Sequence, residues 1–220
     1  MSNLTVLKIG GSFINQQNLK ELKIIIKAIK TTNKHKLIIV TGGGQAADFV
    51  RGYDKKVQLK ASSSHFAAVA AMELNAYMIS DFFDDFSFFS TEFVFSKKIN
   101  VFLGLDYYRE IDPLPHSWNV SSDSIALELS QRLKADNLFL IKQRTMKNNL
   151  EIKSQSAADN KLIDSYFPKL YQELDGKLKT LIINTKSIKN LKILIENTEA
   201  EILNKALNLK RENFDLNILE

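Results

Sequence analysis

The fold is decided by three short stretches of sequence: Val6-Leu7-Lys8-Ile9-Gly10-Gly11-Ser12, Ile39-Val40-Thr41-Gly42-Gly43-Gly44 and Trp118-Asn119-Val120-Ser121-Ser122-Asp123-Ser124. Each glycine cluster follows an apolar, β-branched run and precedes a segment with helical spacing, which predicts a strand that turns into a helix. Glycine tolerates unusual dihedral angles and lets the backbone come close to an anion. Because N–H groups at such turns bind phosphates, the two clusters predict a phosphate site.

The residues beside these clusters supply the charges that phosphoryl transfer needs. Lys8 stands two residues before the first glycine pair, and the third stretch offers the carboxylate of Asp123 among hydroxyls at the start of another helix. Phosphoryl transfer depends on positioning two anions and on stabilising the charge of the moving group. One glycine turn alone is more often only a turn, but the combination favours an enzyme.

The composition predicts one globular domain over residues 1–220. The chain has 45% apolar residues, no cysteine, three histidines and a net charge of +5. It contains no apolar run of about eighteen residues and no secretion signal, so we expect a cytoplasmic protein without a membrane partner. Its lysines are spread along the chain, which argues against a nucleic-acid partner. Three scattered histidines lack metal-ligand spacing, so we expect no protein-bound metal site.

The order of predicted elements indicates an α/β fold with a mainly parallel sheet. Strands are predicted over 4–9, 36–41, near 86–103, 137–142 and 178–184. Helices are predicted over 16–32, 44–54, 63–80, 122–135 and 186–196, and the polar stretch 143–158 is predicted to be irregular.

Two segments leave alternatives open. The segment from Ser64 to Ser80 is apolar almost all round, so it is buried either in the core or against a second copy of the chain. The segment from Phe82 to Phe95 holds seven phenylalanines close to Asp81, Asp84 and Asp85. Alternating phenylalanines indicate the buried face of a strand more strongly than an aromatic pocket or a cation site.

The three opening stretches resemble the amino acid kinase family over residues 4–142. The likeness is to K-x-G-G-S at Lys8 to Ser12, the triple glycine, and S-S-D-S at Ser121 to Ser124. Within that family the chain resembles the small kinases of methanofuran biosynthesis. The shared features are GGG-x-x-A-x-x-V-R from Gly42 to Arg51, His65 at a helix start, and His116-Ser117-Trp118 before the serine motif.

The resemblance implies a three-layer α/β/α sandwich that forms a homodimer, with an acceptor-side half over 1–135 and a nucleotide-side half over 136–220. It also implies a kinase that uses ATP and Mg²⁺ to convert a small phosphate monoester, an aminomethylfuran-methyl phosphate, into a diphosphate. The alternatives are another acceptor, such as isopentenyl phosphate, or a ligand-binding protein that has lost ATP. Relatives carry an aspartate-glycine turn after the strand ending at Ile141 and a later glycine-threonine. This chain has residues 142–147 and Asn197-Thr198 instead.

The resemblance also assigns roles to individual residues. Lys8 is expected to bridge the phosphates, and Asp123 to orient Lys8 and, through water, Mg²⁺. The phosphates are expected to bind Gly10, Gly11, Ser12, Gly42, Gly43 and Gly44, and the nucleotide Ser122 and Lys142. The candidate acceptor residues are Asp48, Arg51, His65, His116 and Trp118. Arg51 suits a phosphate or a surface salt bridge, and Asp48 suits a substrate ammonium or solvent.

Overall fold

A computed structural model describes residues 4–32, 36–146, 151–174, 178–184, 191–196 and 216–220. The strands are β1 (Leu4–Ile9), β2 (Lys36–Thr41), β3 (Ser87–Phe89), β4 (Ile99–Phe102), β5 (Asn137–Lys142), β6 (Glu151–Ile152), β7 (Lys179–Asn184) and β8 (Leu216–Leu219). The α-helices are α1 (Leu19–Thr31), α2 (Gly44–Val57), α3 (Ala61–Ser80), α4 (Gly104–Glu110), α5 (Ser122–Arg132), α6 (Ser154–Asp159), α7 (Phe167–Gln172) and α8 (Leu191–Glu196). A 3₁₀ turn covers Gly11–Phe13.

The described strands form one eight-stranded sheet in the order β3-β4-β2-β1-β5-β7-β8-β6. The first six strands in this order, from β3 at the edge to β7, all pair in parallel. Strand β8 pairs antiparallel with β7 and parallel with β6. The prediction of an α/β fold with a mainly parallel sheet is confirmed. Because β1 pairs in parallel with β2, the first and second of the quoted stretches end at the same edge of the sheet.

Helices cover both faces of the sheet and make a three-layer structure. Side chains alternate along a strand, so Leu7 and Ile9 enter the core beneath α1 and α8, while Val6 enters the core beneath α4, α5 and α7. Both cores consist mainly of buried apolar side chains, and the middle strands of the sheet are buried on each face. This alternation also decides where the polar residues of β1 and β5 point, because Lys8 lies on the side of Val6.

Several elements differ from the sequence prediction. Two short strands, β3 and β4, occupy the region near 86–103, and α4, α7 and β8 were not predicted. The stretch 143–158 contains β6 and the start of α6 rather than only irregular chain. Residues 186–190 of the last predicted helix, Lys147, and Asn197-Thr198 lie outside the described residues.

Helix α3 buries one face and exposes the other. Val69, Met72 and Ile79 are in the core, whereas Leu74 and Tyr77 are about half exposed. The core of the protein therefore buries only part of the apolar surface of α3. In the described residues, no helix is long and apolar enough to cross a membrane.

The phenylalanine-rich segment packs partly into the core, as the sequence favoured, but only Ser87–Phe89 of it forms a strand and Phe88 is exposed. Phe83 and Phe89 are buried, and Phe89 contacts the ring of Phe102. The nearby aspartates lie at the surface, where Asp84 pairs with Lys30 at 2.7 Å.

Candidate functional site

The two glycine clusters meet at the ends of neighbouring parallel strands. Gly42 N donates to Ile9 O at 2.8 Å, and Gly10 N donates to Ile141 O at 3.1 Å, so three strand ends are tied together. A Cβ added to Gly11 would lie only 2.1 Å from Gly44 N. The two clusters are therefore adjacent, as a shared phosphate site requires, and the backbones pass so closely that only glycine fits at position 11.

These bonds decide which N–H groups remain for a ligand. The N–H groups of Gly10 and Gly42 are engaged with backbone carbonyls. Gly11 opens the 3₁₀ turn and Gly44 opens α2, and N–H groups at such starts have no partner within their own helix. Gly44 also has a φ of +53°, which is strained for other residues. Gly11 and Gly44 thus form the centre of the cradle.

A buried amide holds the second cluster in place. Asn75 of α3 is 3% exposed and its Nδ2 donates to Gly42 O at 2.6 Å. A residue earlier, the Thr41 hydroxyl donates to Met72 O at 2.7 Å. Both contacts fix the loop to α3. The sequence prediction missed Asn75, although a lone amide in an apolar helix is a signal for a specific hydrogen bond.

Beside the cradle, two lysines share one buried carboxylate. Asp123 Oδ1 lies 2.9 Å from Lys8 Nζ, and Asp123 Oδ2 lies 2.5 Å from Lys142 Nζ. Lys8 and Asp123 are 4% and 3% exposed. Lys142 reaches the carboxylate because it follows Leu138 and Leu140 on the same face of β5, the face that α5 covers. Two cations and one anion leave this triad with a net positive charge.

The triad perturbs the titration of its members. Burial opposes ionisation of Asp123, but the charges and hydrogen bonds of Lys142 and Lys8 outweigh it and hold the pKa of Asp123 at about 2. Burial lowers the pKa of Lys142 to about 8, and Lys8 adds to this effect while Asp123 opposes it. The Asp123 carboxylate is therefore ionised at neutral pH.

The start of α5, which carries Asp123, is anchored by Asp164. Its carboxylate accepts hydrogen bonds from Ser121 Oγ at 2.8 Å and from Ser124 Oγ at 2.6 Å. It also accepts from the N–H groups of Ser121 and Ser124. Asp164 lies forty residues after Ser124, and no local pattern marked it in the sequence.

A cavity of about 260 Å³ opens in front of the cradle. Its wall includes Gly11, Ser12, Gly42, Gly43, Gly44, Asp48, Arg51, His65, Trp118 and Ser122. Most of the predicted phosphate and acceptor residues thus come together, and Ser122, expected at the nucleotide, lies in the same wall. This volume is slightly below the roughly 300–1,000 Å³ of drug-sized pockets, so the cavity suits a small molecule.

Trp118 is the centre of one cavity wall. Its Nε1 donates to Asp54 Oδ2 at 2.6 Å, and the guanidinium of Arg51 lies 4.7 Å from its ring centroid. Arg51 also forms a loose, exposed ion pair with Asp48 at 3.6 Å. Arg51 thus forms the surface ion pair that one alternative expected and also lines the cavity, and its contact with a phosphate stays a prediction. Asp54 was missed by the sequence prediction.

The two candidate histidines are stacked, with centroids 4.3 Å apart and planes at 15°. His65 lines the cavity, whereas His116 does not and instead bonds through Nε2 to Asp112 Oδ1 at 2.9 Å. The structure therefore does not place His116 in the wall where a direct contact with the acceptor was expected. Burial and the neighbouring His116 lower the pKa of His65 to about 4, against a raising effect of Asp112.

The residues fit the phosphates of ATP. Gly11 and Gly44 begin helical segments in the cavity wall, where their N–H groups suit an anion, and the adjacent triad offers buried positive charge. Both oxygens of Asp123 contact lysines, and those of Asp164 accept from Ser121 and Ser124. Mg²⁺ would accordingly be held by phosphate oxygens and water, as this ion commonly is.

Known proteins resemble the first two thirds of the chain in sequence. The model of the amino acid kinase family matches residues 3–143. The [5-(aminomethyl)furan-3-yl]methyl phosphate kinase of Methanocaldococcus jannaschii is 28% identical over 143 residues, which cover 61% of this chain and 63% of that protein. The match thus spans less than two thirds of the relative's length.

Solved structures with the same fold include two nucleotide kinases. The UMP kinase of Ureaplasma parvum superimposes with a TM-score of 0.64 at 15% identity over all of both chains. The uridylate kinase of Archaeoglobus fulgidus gives 0.58 at 16% identity over 98% of this chain and 99% of that one. These identities support the fold alone, and the family match carries the assignment. The chain belongs to the amino acid kinase family.

Proposed function

We propose that this protein is a phosphotransferase that moves the terminal phosphoryl group of ATP onto a small phosphate monoester and so forms a diphosphate. The observation that carries the proposal is the buried triad of Lys8, Asp123 and Lys142 beside the cradle of Gly11 and Gly44. Family membership supports the same reaction class.

The triad supplies charge where the reaction needs it. When bound, ATP supplies the phosphoryl group, and ADP leaves as the bond to the terminal phosphorus breaks. The attacking oxygen belongs to a phosphate that is already an anion, so no base has to remove a proton. Lys8 and Lys142 offset the negative charge that gathers between donor and acceptor, and Asp123 keeps both ammonium groups in place.

The cradle positions the groups. The N–H groups of Gly11 and Gly44 donate to phosphate oxygens at the start of α2, where the helix dipole favours an anion. Ser12 and Ser122 line the same cavity with their hydroxyls. Because Asn75 and the strand ends fix these loops, the donors are preorganised before the ligand enters.

For the acceptor we propose an aminomethylfuran-methyl phosphate. The supporting relative is a kinase for [5-(aminomethyl)furan-3-yl]methyl phosphate. In the cavity wall Trp118 offers a flat ring for a heteroaromatic group, Arg51 a fork for a phosphate, and Asp48 a carboxylate for an ammonium. An ammonium without a partner in such a wall would carry a desolvation penalty.

The test is an ADP-release assay with ATP, Mg²⁺ and a panel of acceptors, with the product identified by phosphorus NMR. We expect the aminomethylfuran-methyl phosphate to have the highest kcat/KM and its amine-free analogue to lose more than an analogue with a trimmed ring. Equal kcat/KM for the amine-free compound would favour isopentenyl phosphate as the acceptor. If no acceptor released ADP, the chain would be a ligand-binding member of the family.

Lys8→Met tests the triad within the same assay. Asp123 keeps Lys142 as a partner in this variant, so the fold should persist while kcat falls at least a hundredfold. Lys20→Met on α1 is the matched control, since Lys20 is an exposed lysine and α1 covers the face of the sheet opposite to the one from which Lys8 projects. Full activity of Lys8→Met would overturn the assignment.

We further propose that two copies associate in the cytoplasm through the apolar surface of α2 and α3. Phe49 is 75% exposed, and Tyr53 and Val57 continue its stripe along α2. Leu74 and Tyr77 extend the apolar surface on α3. Light scattering coupled to size exclusion should give a dimer mass, and Leu74→Glu should give a monomer that keeps its circular dichroism spectrum. A monomeric wild-type protein at micromolar concentration would contradict this.

A further inference from the structure

Three side chains that commonly bind metals meet beside the cavity. His65 comes from α3, and Asp112 and His116 come from the loop between α4 and α5. One donor atom of each lies within 4.8 Å of the others. Among the described residues, this is the one group of three histidine or acidic side chains that lie close enough together to share an ion. The cluster is separate from the triad of Lys8, Asp123 and Lys142.

His65 adds an independent observation. It is 8% exposed, and its Nε2 is buried without a hydrogen-bond partner among the described residues. A buried polar atom left unpaired destabilises the folded protein. Most buried polar groups are satisfied by protein or water, so this nitrogen indicates that a ligand belongs next to the ring.

We propose that His65, Asp112 and His116 bind a divalent transition-metal ion of the zinc class. Two imidazoles and one carboxylate, with a further position left open, form a common ligand set for such ions. Mg²⁺ prefers oxygen ligands, so this site is distinct from the Mg²⁺ that accompanies ATP. The proposal does not depend on the kinase reaction.

Binding requires one ring to turn. The nitrogen lone pairs lie in the ring planes, and in the stacked pair those planes are nearly parallel. His65 is held in α3, whereas the side chain of His116 is partly exposed on a loop. Among the described residues, the ring nitrogens of His116 bond only to the exposed carboxylate of Asp112. Rotation of His116 would bring the three donors to the roughly 3.3 Å separation of a tetrahedral zinc site.

The ion would tie the 111–118 loop to α3. Trp118 lies two residues after His116 and is the chain's single tryptophan. Its ring lines the cavity and contacts Arg51 and Asp54. Metal binding should therefore be reported by tryptophan fluorescence without any labelling of the protein.

The test uses the full chain without a tag, stripped with a chelator. Titration with Zn²⁺ in a calorimeter should show one equivalent bound per chain, and Co²⁺ should give visible absorption bands and quench Trp118 at the same stoichiometry. Absence of saturable binding, or binding that leaves both the absorption and the fluorescence unchanged, would overturn the proposal.

Two variants and a control locate the ion. Asp112→Asn keeps a residue that tolerates the φ of +43° at this position and removes only the carboxylate charge. This variant and His116→Ala should each weaken Zn²⁺ binding at least tenfold while the circular dichroism spectrum stays unchanged. His35→Ala removes the remaining histidine of the chain and should leave the affinity unchanged. Wild-type affinity in both site variants, or an equal loss in His35→Ala, would refute the site.

Discussion

Substitution of Gly11 by alanine should open the phosphate cradle. The added Cβ would lie 2.1 Å from Gly44 N and 2.5 Å from Gly44 Cα, whereas ordinary van der Waals contact begins near 3.4 Å. Both atoms belong to the backbone, so no side chain can rotate away. The two loops must separate by roughly 1 Å, which is the scale on which misplaced groups lose about a hundredfold in rate.

The cost in stability can be set against a gain. Forcing extra volume into a packed site costs about 1–3 kcal/mol, while replacing glycine by alanine returns about 0.4–1 kcal/mol by restricting the unfolded chain. We expect Gly11→Ala to lower the free energy of unfolding by about 1–2 kcal/mol. Urea denaturation measures that change, and the ADP-release assay measures the loss of kcat/KM.

Gly52→Ala is the matched control for this experiment. Gly52 lies within α2, and a Cβ placed there meets nothing within 4 Å. Since glycine inside a helix costs about 0.5–1 kcal/mol relative to alanine, this variant should be more stable than wild type with unchanged kcat/KM. The reasoning about the cradle fails if Gly11→Ala keeps both the stability and the activity of the wild-type protein.

Three further predictions concern single contacts. Because the pKa of Lys142 is about 8, kcat/KM should fall as the pH rises through that value. Lys142→Arg, which stays charged, should move this alkaline fall in kcat/KM to higher pH. A fall at the same pH in the variant would contradict the role of the ammonium. Asp54→Ala removes the acceptor of Trp118 Nε1, so the acceptor KM should rise several-fold and the tryptophan emission should shift, with unchanged values as the contrary result. Asn75→Ala leaves Gly42 O buried without its donor and should lower the free energy of unfolding, measured in urea, by about 1–3 kcal/mol. A loss below about 0.5 kcal/mol would count against the contact.

The long periodic elements could be predicted from the sequence, and the short ones could not. Strands β2 and β5 contain continuous apolar runs and β1 is apolar apart from Thr5 and Lys8, as expected of strands buried on both faces. Helices α6 and α7 have six residues each, too few to form without tertiary contacts. Strand β8 (Leu-Asn-Ile-Leu) also depends on tertiary contacts, because it becomes a strand by pairing antiparallel with β7.

The site divides in the same way. The glycines, Lys8 and Asp123 lie in local motifs, so the sequence could identify them. Lys142 was noticed, but its contact with Asp123 depends on which face of β5 it occupies and on the position of α5. Asp54 and Asp164 act through partners 64 and 40 residues away in sequence. No local pattern encodes such contacts, and they become visible only when the fold is known.

The central place of β1 has a consequence for how the chain is made. Its partner β2 follows directly, but β5 on its other side ends at Lys142, roughly 100 residues after β2. At about 5–20 residues per second of synthesis, the first strand waits roughly 5–20 s for its second neighbour. During that time Lys8 has no buried carboxylate, and one edge of β1 is open to other chains. Early synthesis is thus the stage at which this protein most needs protection from aggregation.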